Sequence, residues 1–131
     1  MRIIDRAARV AHRIGLGRLS TALLETTGRK SGEPRITPVT NALDGDVFWI
    51  VTEHGHSANY VQNIEAEPRV RVNTGGGWRS GVAKIVDENP ERRLQQIVSL
   101  NARARANAQI VRKTGNEHLV IRIDLDRNSV S

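Results

Sequence analysis

Apolar residues recur along the chain with two different periods, and these periods divide it into helices and strands. In residues 2–14 the isoleucines and alanines fall on one helical face, while arginines occupy the other positions. This spacing predicts an amphipathic helix within an N-terminal region of residues 1–18, and Gly15 and Gly17 end it.

Six later segments have the composition and alternation of β-strands. They are residues 21–27, 35–43, 47–52, 70–73, 78–86 and 118–125. The last segment alternates most regularly, with an apolar residue at every second position from Leu119 to Leu125. Three further helices are predicted over residues 57–67 with Ser57 as the cap, from Pro90 towards Leu100, and over about residues 102–113.

Most of these strands are separated by hairpin-length connections, which indicates an antiparallel sheet with a few covering helices, an α+β fold. A sheet of about six strands would expose two long edges unless it closed on itself. We therefore expect a small antiparallel β-barrel. The 131 residues suffice for one hydrophobic core, so residues 1–131 are predicted to form a single domain.

Composition removes several function classes. The chain has no cysteine, which excludes a disulfide framework, a thiolate nucleophile and a zinc-thiolate site. It has no apolar run of about 18 residues and no apolar signal segment, so a cytoplasmic location is expected. A net charge of +6 favours an anionic partner: nucleic acid, anionic lipid or a phosphorylated cofactor. Aromatic residues make up only 3%, which is poor provision for stacking nucleic-acid bases.

The strongest candidate for chemistry is the segment of residues 28–35, called the basic loop below. It carries Arg29, Lys30 and Arg35, and its glycines let backbone amides approach a ligand. It differs from a P-loop, because Leu23 stands where that motif needs its first glycine and arginine follows Gly28. Charge alone leaves two interpretations open, a phosphate site and a solvated hairpin tip.

Residues 24–39, which contain the string Gly-Arg-Lys-Ser-Gly-Glu-Pro-Arg, resemble the deazaflavin-dependent nitroreductase and quinone-reductase family. The similarity continues through residues 44–46, 49–55, 58–68 and 78–81. The family is actinobacterial and has a flavin-binding split β-barrel fold. The resemblance implies coenzyme F-420 (8-hydroxy-5-deazaflavin) as cofactor, and flavin mononucleotide is the lesser alternative because related split barrels hold it.

The same resemblance implies roles for individual residues. The residues expected to hold the cofactor's phosphate and acidic tail are Arg29, Lys30, Ser31 and Arg35. Those expected beside the deazaflavin ring are Thr37, Pro38, Val39, Thr52, His54 and Gly55. Those expected to close the pocket from the short helix are Asn59, Tyr60 and Asn63. Tyr60 and His54 are also the candidate catalytic proton donors, in competition with solvent.

Three departures from the family pattern bear on function. Glu53 stands where many relatives have lysine, and a carboxylate there would repel an acidic tail. Tyr60 stands where a tryptophan is common, and it is the only tyrosine, so the family's C-terminal tyrosine cluster has no counterpart. These departures leave the substrate open.

The leading hypothesis is therefore an oxidoreductase that transfers hydride from the reduced deazaflavin to a small nitro compound, quinone or enone. The alternatives are a cofactor carrier without turnover and, less favoured, a basic nucleic-acid-binding domain. His54 and His56 lack a clear third ligand, so no metal site is expected. A homodimer and a peripheral membrane contact through residues 2–14 remain open.

Overall fold

The computed structural model describes residues 21–114 and 117–130. The amphipathic helix predicted for residues 2–14 lies outside them. The strands are β1 (Thr21–Thr27), β2 (Pro34–Thr40), β3 (Leu43–Asp44), β4 (Val47–Val51), β5 (Arg69–Asn73), β6 (Trp78–Val86) and β7 (Val120–Val130). The helices are α1 (Asn59–Ala66), α2 (Pro90–Leu100) and α3 (Arg105–Thr114), with 3-10 turns at Gly55–Ser57 and Ala102–Ala104.

The strands form one antiparallel sheet in the order β2-β1-β5-β6-β7-β4-β3, curled into a half-barrel. Its two edge strands, β2 and β3, are consecutive in sequence, and only Asn41 and Ala42 separate them. Three Cα–Cα steps span at most about 11 Å, so the sheet must curl until its edges meet at this link. The amide of Trp49 donates to the carbonyl of Ala42 and extends the β3–β4 pairing into the link.

The inner face of the curled sheet carries the main core. Alternate residues of each strand point inward, as the pleat requires, and helix α1 covers them with Val61 and Ile64. The buried members of this core are Ala22, Leu24, Phe48, Ile50, Val61, Ile64, Val70, Val72, Ala83, Ile121, Ile123 and Leu125. Helix α1 is thus fixed against the sheet by its apolar side.

Helix α2 packs on the outer face over Trp49 and Val120, and α3 packs against α2 and Val51. Pro90 occupies the first turn of α2, and the side chain of Asn89 accepts hydrogen bonds from the amides of Glu91 and Arg92. Leu94 and Ile97 of α2 are buried at this second core. Every helix among the described residues is too short or too polar to cross a membrane.

The predicted α+β class and split-barrel architecture are confirmed. The strand predicted over residues 35–43 is interrupted at Asn41 and Ala42, which gives seven strands instead of six. Ser57 is not the cap of α1, because the cap position is Ala58, immediately before Asn59, and no side chain caps the helix. The Ser57 hydroxyl donates instead to the carbonyl of His54. The helix predicted over about residues 102–113 begins as a 3-10 turn.

Candidate functional site

A pocket of about 410 Å³ opens between the end of β2, the end of β4, the start of α1 and the two outer helices. Its walls are mainly apolar, with Trp49 and Ile50 from β4, and Leu94, Ile97, Ala108 and Val111 from the helices. Four of the residues that the sequence singles out line it, namely Pro38, Val39, His54 and Tyr60. This mixture of apolar walls and few polar groups is typical of a site for a planar organic molecule.

The phenol of Tyr60 lines the pocket and is less acidic than an ordinary tyrosine. Burial and, to a lesser extent, the nearby carboxylate of Glu53 raise the pKa of its phenol to about 12. The phenol therefore stays protonated at neutral pH and can donate a hydrogen bond into the pocket.

Glu53 and His54 form the polar rim of the pocket, with 3.8 Å between the Nε2 of His54 and the Oε2 of Glu53. Both side chains are about half exposed. Glu53 thus lies at the pocket, close to Tyr60, and not on the basic loop. The described hydrogen bonds and ion pairs of Arg29 and Arg35 involve other partners.

The turn that carries His54 is held from beneath by Thr52, whose buried hydroxyl donates to the carbonyl of Glu117 and accepts from the amides of Gly55 and Leu119. This hydroxyl has an internal structural role. Gly55 has a φ of +54°, and the side chain of Glu117 occupies the place where a Cβ would be. Neither Thr52 nor Gly55 lines the pocket.

Glu117, which is distant in sequence, holds the same turn through its carboxylate. Its Oε1 accepts from the amide of His56 at 2.8 Å, and its Oε2 lies 3.3 Å from the His56 ring. These hydrogen bonds, the backbone one first, lower the pKa of the Glu117 carboxyl. The sequence offered no sign of this role, because Glu117 lies 61 positions from its partner. Among the described residues, no group of three or more His, Cys, Asp or Glu side chains is arranged to hold a metal ion.

The basic loop is a compact hairpin between β1 and β2. The amide of Gly28 donates to the carbonyl of Glu33, and the amide of Gly32 donates to the carbonyl of Gly28. Ser31 accepts from the amide of Glu33 and, at 3.4 Å, from the guanidinium of Arg35. Arg35 also approaches Glu33 at 4.0 Å, so its charge is partly balanced within the loop. Lys30 is exposed.

Arg29 is fastened to helix α1 by neutral oxygens. Its backbone amide and its Nη1 both donate to the Oδ1 of Asn63, at 3.2 and 2.9 Å, and its Nη2 reaches the Oδ1 of Asn59 at 3.5 Å. No carboxylate of the described residues forms an ion pair with it. The structure thus brings Arg29, Asn59 and Asn63 together, while Asn59 and Asn63 stay outside the pocket lining.

Strand β2 joins the loop to the pocket. It begins at Pro34, carries Thr37 at its middle and reaches the pocket with Pro38 and Val39. Five residues of strand span about 17 Å, so one elongated ligand can touch both ends. An apolar pocket at one end and a basic loop at the other suit a ligand with an apolar part and an anionic part.

Sequence comparison decides the family. The model of the F420H(2)-dependent quinone reductase family matches residues 2–126, nearly the whole chain. The chain belongs to this family. The name of the family specifies reduced coenzyme F-420, in agreement with the resemblance carried by residues 24–39.

An F420H(2)-dependent quinone reductase of Mycobacterium tuberculosis is 40% identical over 98 residues, which cover 71% of this chain and 65% of the relative. The chain therefore spans about two thirds, 65%, of the length of this curated relative.

Two solved structures share the fold of this quinone-reductase family member. An F420-H2 dependent reductase, FDR-A, superimposes with a TM-score of 0.58 at 21% identity, over 79% of this chain and 93% of that one. The heme storage protein HutZ from Vibrio cholerae gives a TM-score of 0.59 at 16% identity, over 83% of each chain. These two similarities support the split-barrel fold alone.

Proposed function

We propose that this member of the quinone-reductase family binds reduced coenzyme F-420 and uses it to reduce a small organic acceptor, such as a quinone, a nitro compound or an enone. The observation that carries the proposal is the continuity of an apolar pocket, strand β2 and a basic loop whose arginine is held by amide oxygens. When bound, the reduced deazaflavin supplies the hydride, so the main tasks of the protein are binding and orientation.

The basic loop would hold the phosphate and acidic tail. Among the described residues, two of the five N–H groups of the Arg29 guanidinium have partners, Asn63 and Asn59, which leaves three for a ligand. Lys30 adds a mobile ammonium, and Arg35 adds a second planar fork. Ser31 contributes a hydroxyl that already orients Arg35.

The pocket would hold the ring and the acceptor. Pro38 and Val39 form one wall and the outer helices another, so a bound ring would displace water from a mainly apolar space where a hydride donor and an acceptor can meet. Tyr60 would donate a hydrogen bond to the acceptor oxygen that gains negative charge, since its phenol stays neutral. His54 on the exposed rim is the second candidate for delivering a proton, and solvent is the third.

Titration of coenzyme F-420, followed by quenching of tryptophan fluorescence, tests binding. Trp49 lines the pocket and serves as the reporter. Arg29→Ala and Lys30→Ala should each weaken binding by about 1.5–3 kcal/mol, the cost of a lost charge-assisted contact. Lys84→Ala removes an exposed cation on β6 and is the matched control. Equal affinities for all four proteins would exclude the loop as the tail site.

Oxidation of the reduced cofactor by a panel of quinones, nitro compounds and enones tests turnover. Binding without oxidation by any acceptor would favour the carrier. Tighter binding of flavin mononucleotide than of coenzyme F-420 would assign the pocket to the other cofactor. Assays of Tyr60→Phe and His54→Ala on the best acceptor test the two side chains, because removing a group that stabilises or protonates the acceptor in the transition state lowers kcat. An unchanged kcat for both variants would leave solvent as the proton source.

A further inference from the structure

The side chain of Asn63 is almost fully buried, at 4% exposure, on a helix that otherwise buries apolar residues against the core. A buried amide needs hydrogen-bond partners, and each bond of the Asn63 side chain reaches the strand or loop of the first hairpin. Its Nδ2 donates to the hydroxyl of Thr26 at 3.2 Å, and its Oδ1 accepts twice from Arg29.

The chemistry of the partners fixes the orientation of this amide. Arg29 offers only donors, through its backbone amide and guanidinium, so the oxygen of Asn63 must face it. The nitrogen must then face Thr26, whose hydroxyl oxygen can accept. Thr26 is itself 1% exposed and belongs to β1, so the amide nitrogen of Asn63 is anchored to a buried strand residue.

One oxygen therefore holds both the backbone and the side chain of Arg29. Turning the guanidinium away from α1 would break its bond to Asn63 and its 3.5 Å contact with Asn59, one helical turn earlier. The backbone bond to the same Asn63 oxygen keeps the base of the side chain beside the helix. A guanidinium held by a carboxylate would have its charge neutralised. One held by an amide oxygen keeps its full charge for an anionic ligand.

We infer that Asn63 is a positioning residue: with Thr26 it fixes the Arg29 guanidinium in the geometry that receives the cofactor's anionic tail, and it does not itself touch the cofactor. The inference rests on the proposed function, and it reassigns Asn63 from the pocket wall to a buried support. It also makes α1 the shared element of both ends of the site. Tyr60 on this helix lines the pocket, whereas Asn63 holds the loop.

Two probes separate positioning from general damage: coenzyme F-420, and the same 8-hydroxy-5-deazaflavin without its phosphate and glutamates. Asn63→Ala should weaken binding of the complete coenzyme by about 10-fold, the effect of losing fixed hydrogen-bond geometry at a charged contact. Binding of the tailless probe should change by less than about 2-fold, because the pocket lining is intact. Gln62→Ala, which removes a neighbouring amide bonded to the carbonyl of His56, is the matched control on α1.

A double-mutant cycle tests whether Asn63 acts through Arg29, because a residue with only a structural role would show no coupling to Arg29 in coenzyme binding. In the Arg29→Ala background, Asn63→Ala should weaken coenzyme binding by less than about 2-fold further, since the group that it positions is absent. Thr26→Val keeps the shape of the strand and removes the hydroxyl that accepts from Asn63. It should give a smaller, tail-dependent loss of about 3-fold, and it replaces Asn63→Ala if that variant does not fold.

The outcomes are distinct. Equal weakening of both probes by Asn63→Ala, or independent and multiplicative effects of Asn63→Ala and Arg29→Ala, would overturn the inference while the proposed function stood. Failure of the wild-type protein to bind coenzyme F-420 would overturn the proposed function itself, and the inference with it.

Discussion

The phenol of Tyr60 lies in an apolar pocket close to the carboxylate of Glu53, and both surroundings disfavour its ionised form. Because Tyr60 is the only tyrosine, the near-ultraviolet absorbance of tyrosinate reports on this one residue. We expect a titration midpoint near pH 12 in the folded protein, against 10.0 for an unperturbed phenol. A midpoint near 10 with the fold intact by circular dichroism would contradict the burial of the phenol.

Glu53→Gln should lower the pKa of Tyr60 without restoring the ordinary value, because burial is the larger cause. The folded state holds the proton more tightly than the unfolded state. Its stabilising contribution is therefore complete below pH 10 and is lost as the pH rises towards 12, by about 3 kcal/mol in total. Denaturant unfolding of the wild type and Tyr60→Phe over this range measures the loss.

Gly55 is the residue whose replacement should most directly damage the rim of the pocket. It has a positive φ of 54°, and a Cβ would meet the side chain of Glu117. Gly55→Ala should lower the free energy of unfolding by about 1–3 kcal/mol. Gly76→Ala is the control, since a Cβ there meets no atom within 4 Å, and it should change stability by less than about 1 kcal/mol. Similar losses for both variants in urea unfolding would argue against the clamp by Glu117.

Single residues show how far a sequence can be interpreted. The resemblance singled out Arg29, Asn59 and Asn63, and the structure brings them together. Their hydrogen bonds were not predictable, because they join positions at least 30 residues apart and depend on how α1 docks against the first hairpin. The role of Glu117 was not predicted, because no motif includes this residue.

At the scale of elements, the sequence predicted the ends of a helix or strand correctly where residues at those ends mark them. Strands β1 and β6 begin and end at the residues predicted for them, and Pro90 opens α2. The interruption between β2 and β3 was missed because it serves the curvature of the whole sheet, which no local pattern expresses. Ser57 has the residue type of a cap, but the preceding 3-10 turn takes its hydroxyl.

The cap of α2 offers a test at this scale, because α2 supplies Leu94 and Ile97 to the pocket wall. Asn89 accepts from the amides of Glu91 and Arg92 at 2.9 and 3.2 Å. Asn89→Ala should lower the free energy of unfolding by about 1 kcal/mol. Arg92→Ala, in the same exposed first turn, should change it by less than about 0.5 kcal/mol. Equal effects in thermal unfolding would mean that the cap contributes nothing.

At the scale of the whole molecule, the fold class and the split barrel were predictable, because they follow from the order of hairpins together with the resemblance of residues 24–39. The outer helices were predicted as helices but not as walls of the site. Their contribution depends on the packing of Ile97 over Trp49 and of Leu94, Ala108 and Val111 beside Val51, between segments some 40 to 60 positions apart.

The net charge of +6 belongs to the same scale. Several arginines are paired on the surface, as Arg69 is with Asp126 and Arg79 with Asp46. Paired arginines attract phosphate backbones less than free ones do. We expect no binding of random duplex DNA in a filter or anisotropy assay at low salt. Tight binding that weakens steeply with added salt would favour the nucleic-acid function.

The two-residue link through Asn41 and Ala42 has a consequence for local opening. In most sheets an edge strand frays independently, and its amides exchange with solvent ahead of the centre. Here β2 and β3 are the two edge strands and only two residues join them. When β2 separates from β1, this short link displaces β3 as well. Protection against hydrogen exchange in β2 and in the Ala42–Trp49 pairing should therefore be lost together, although the two lie at opposite ends of the strand order.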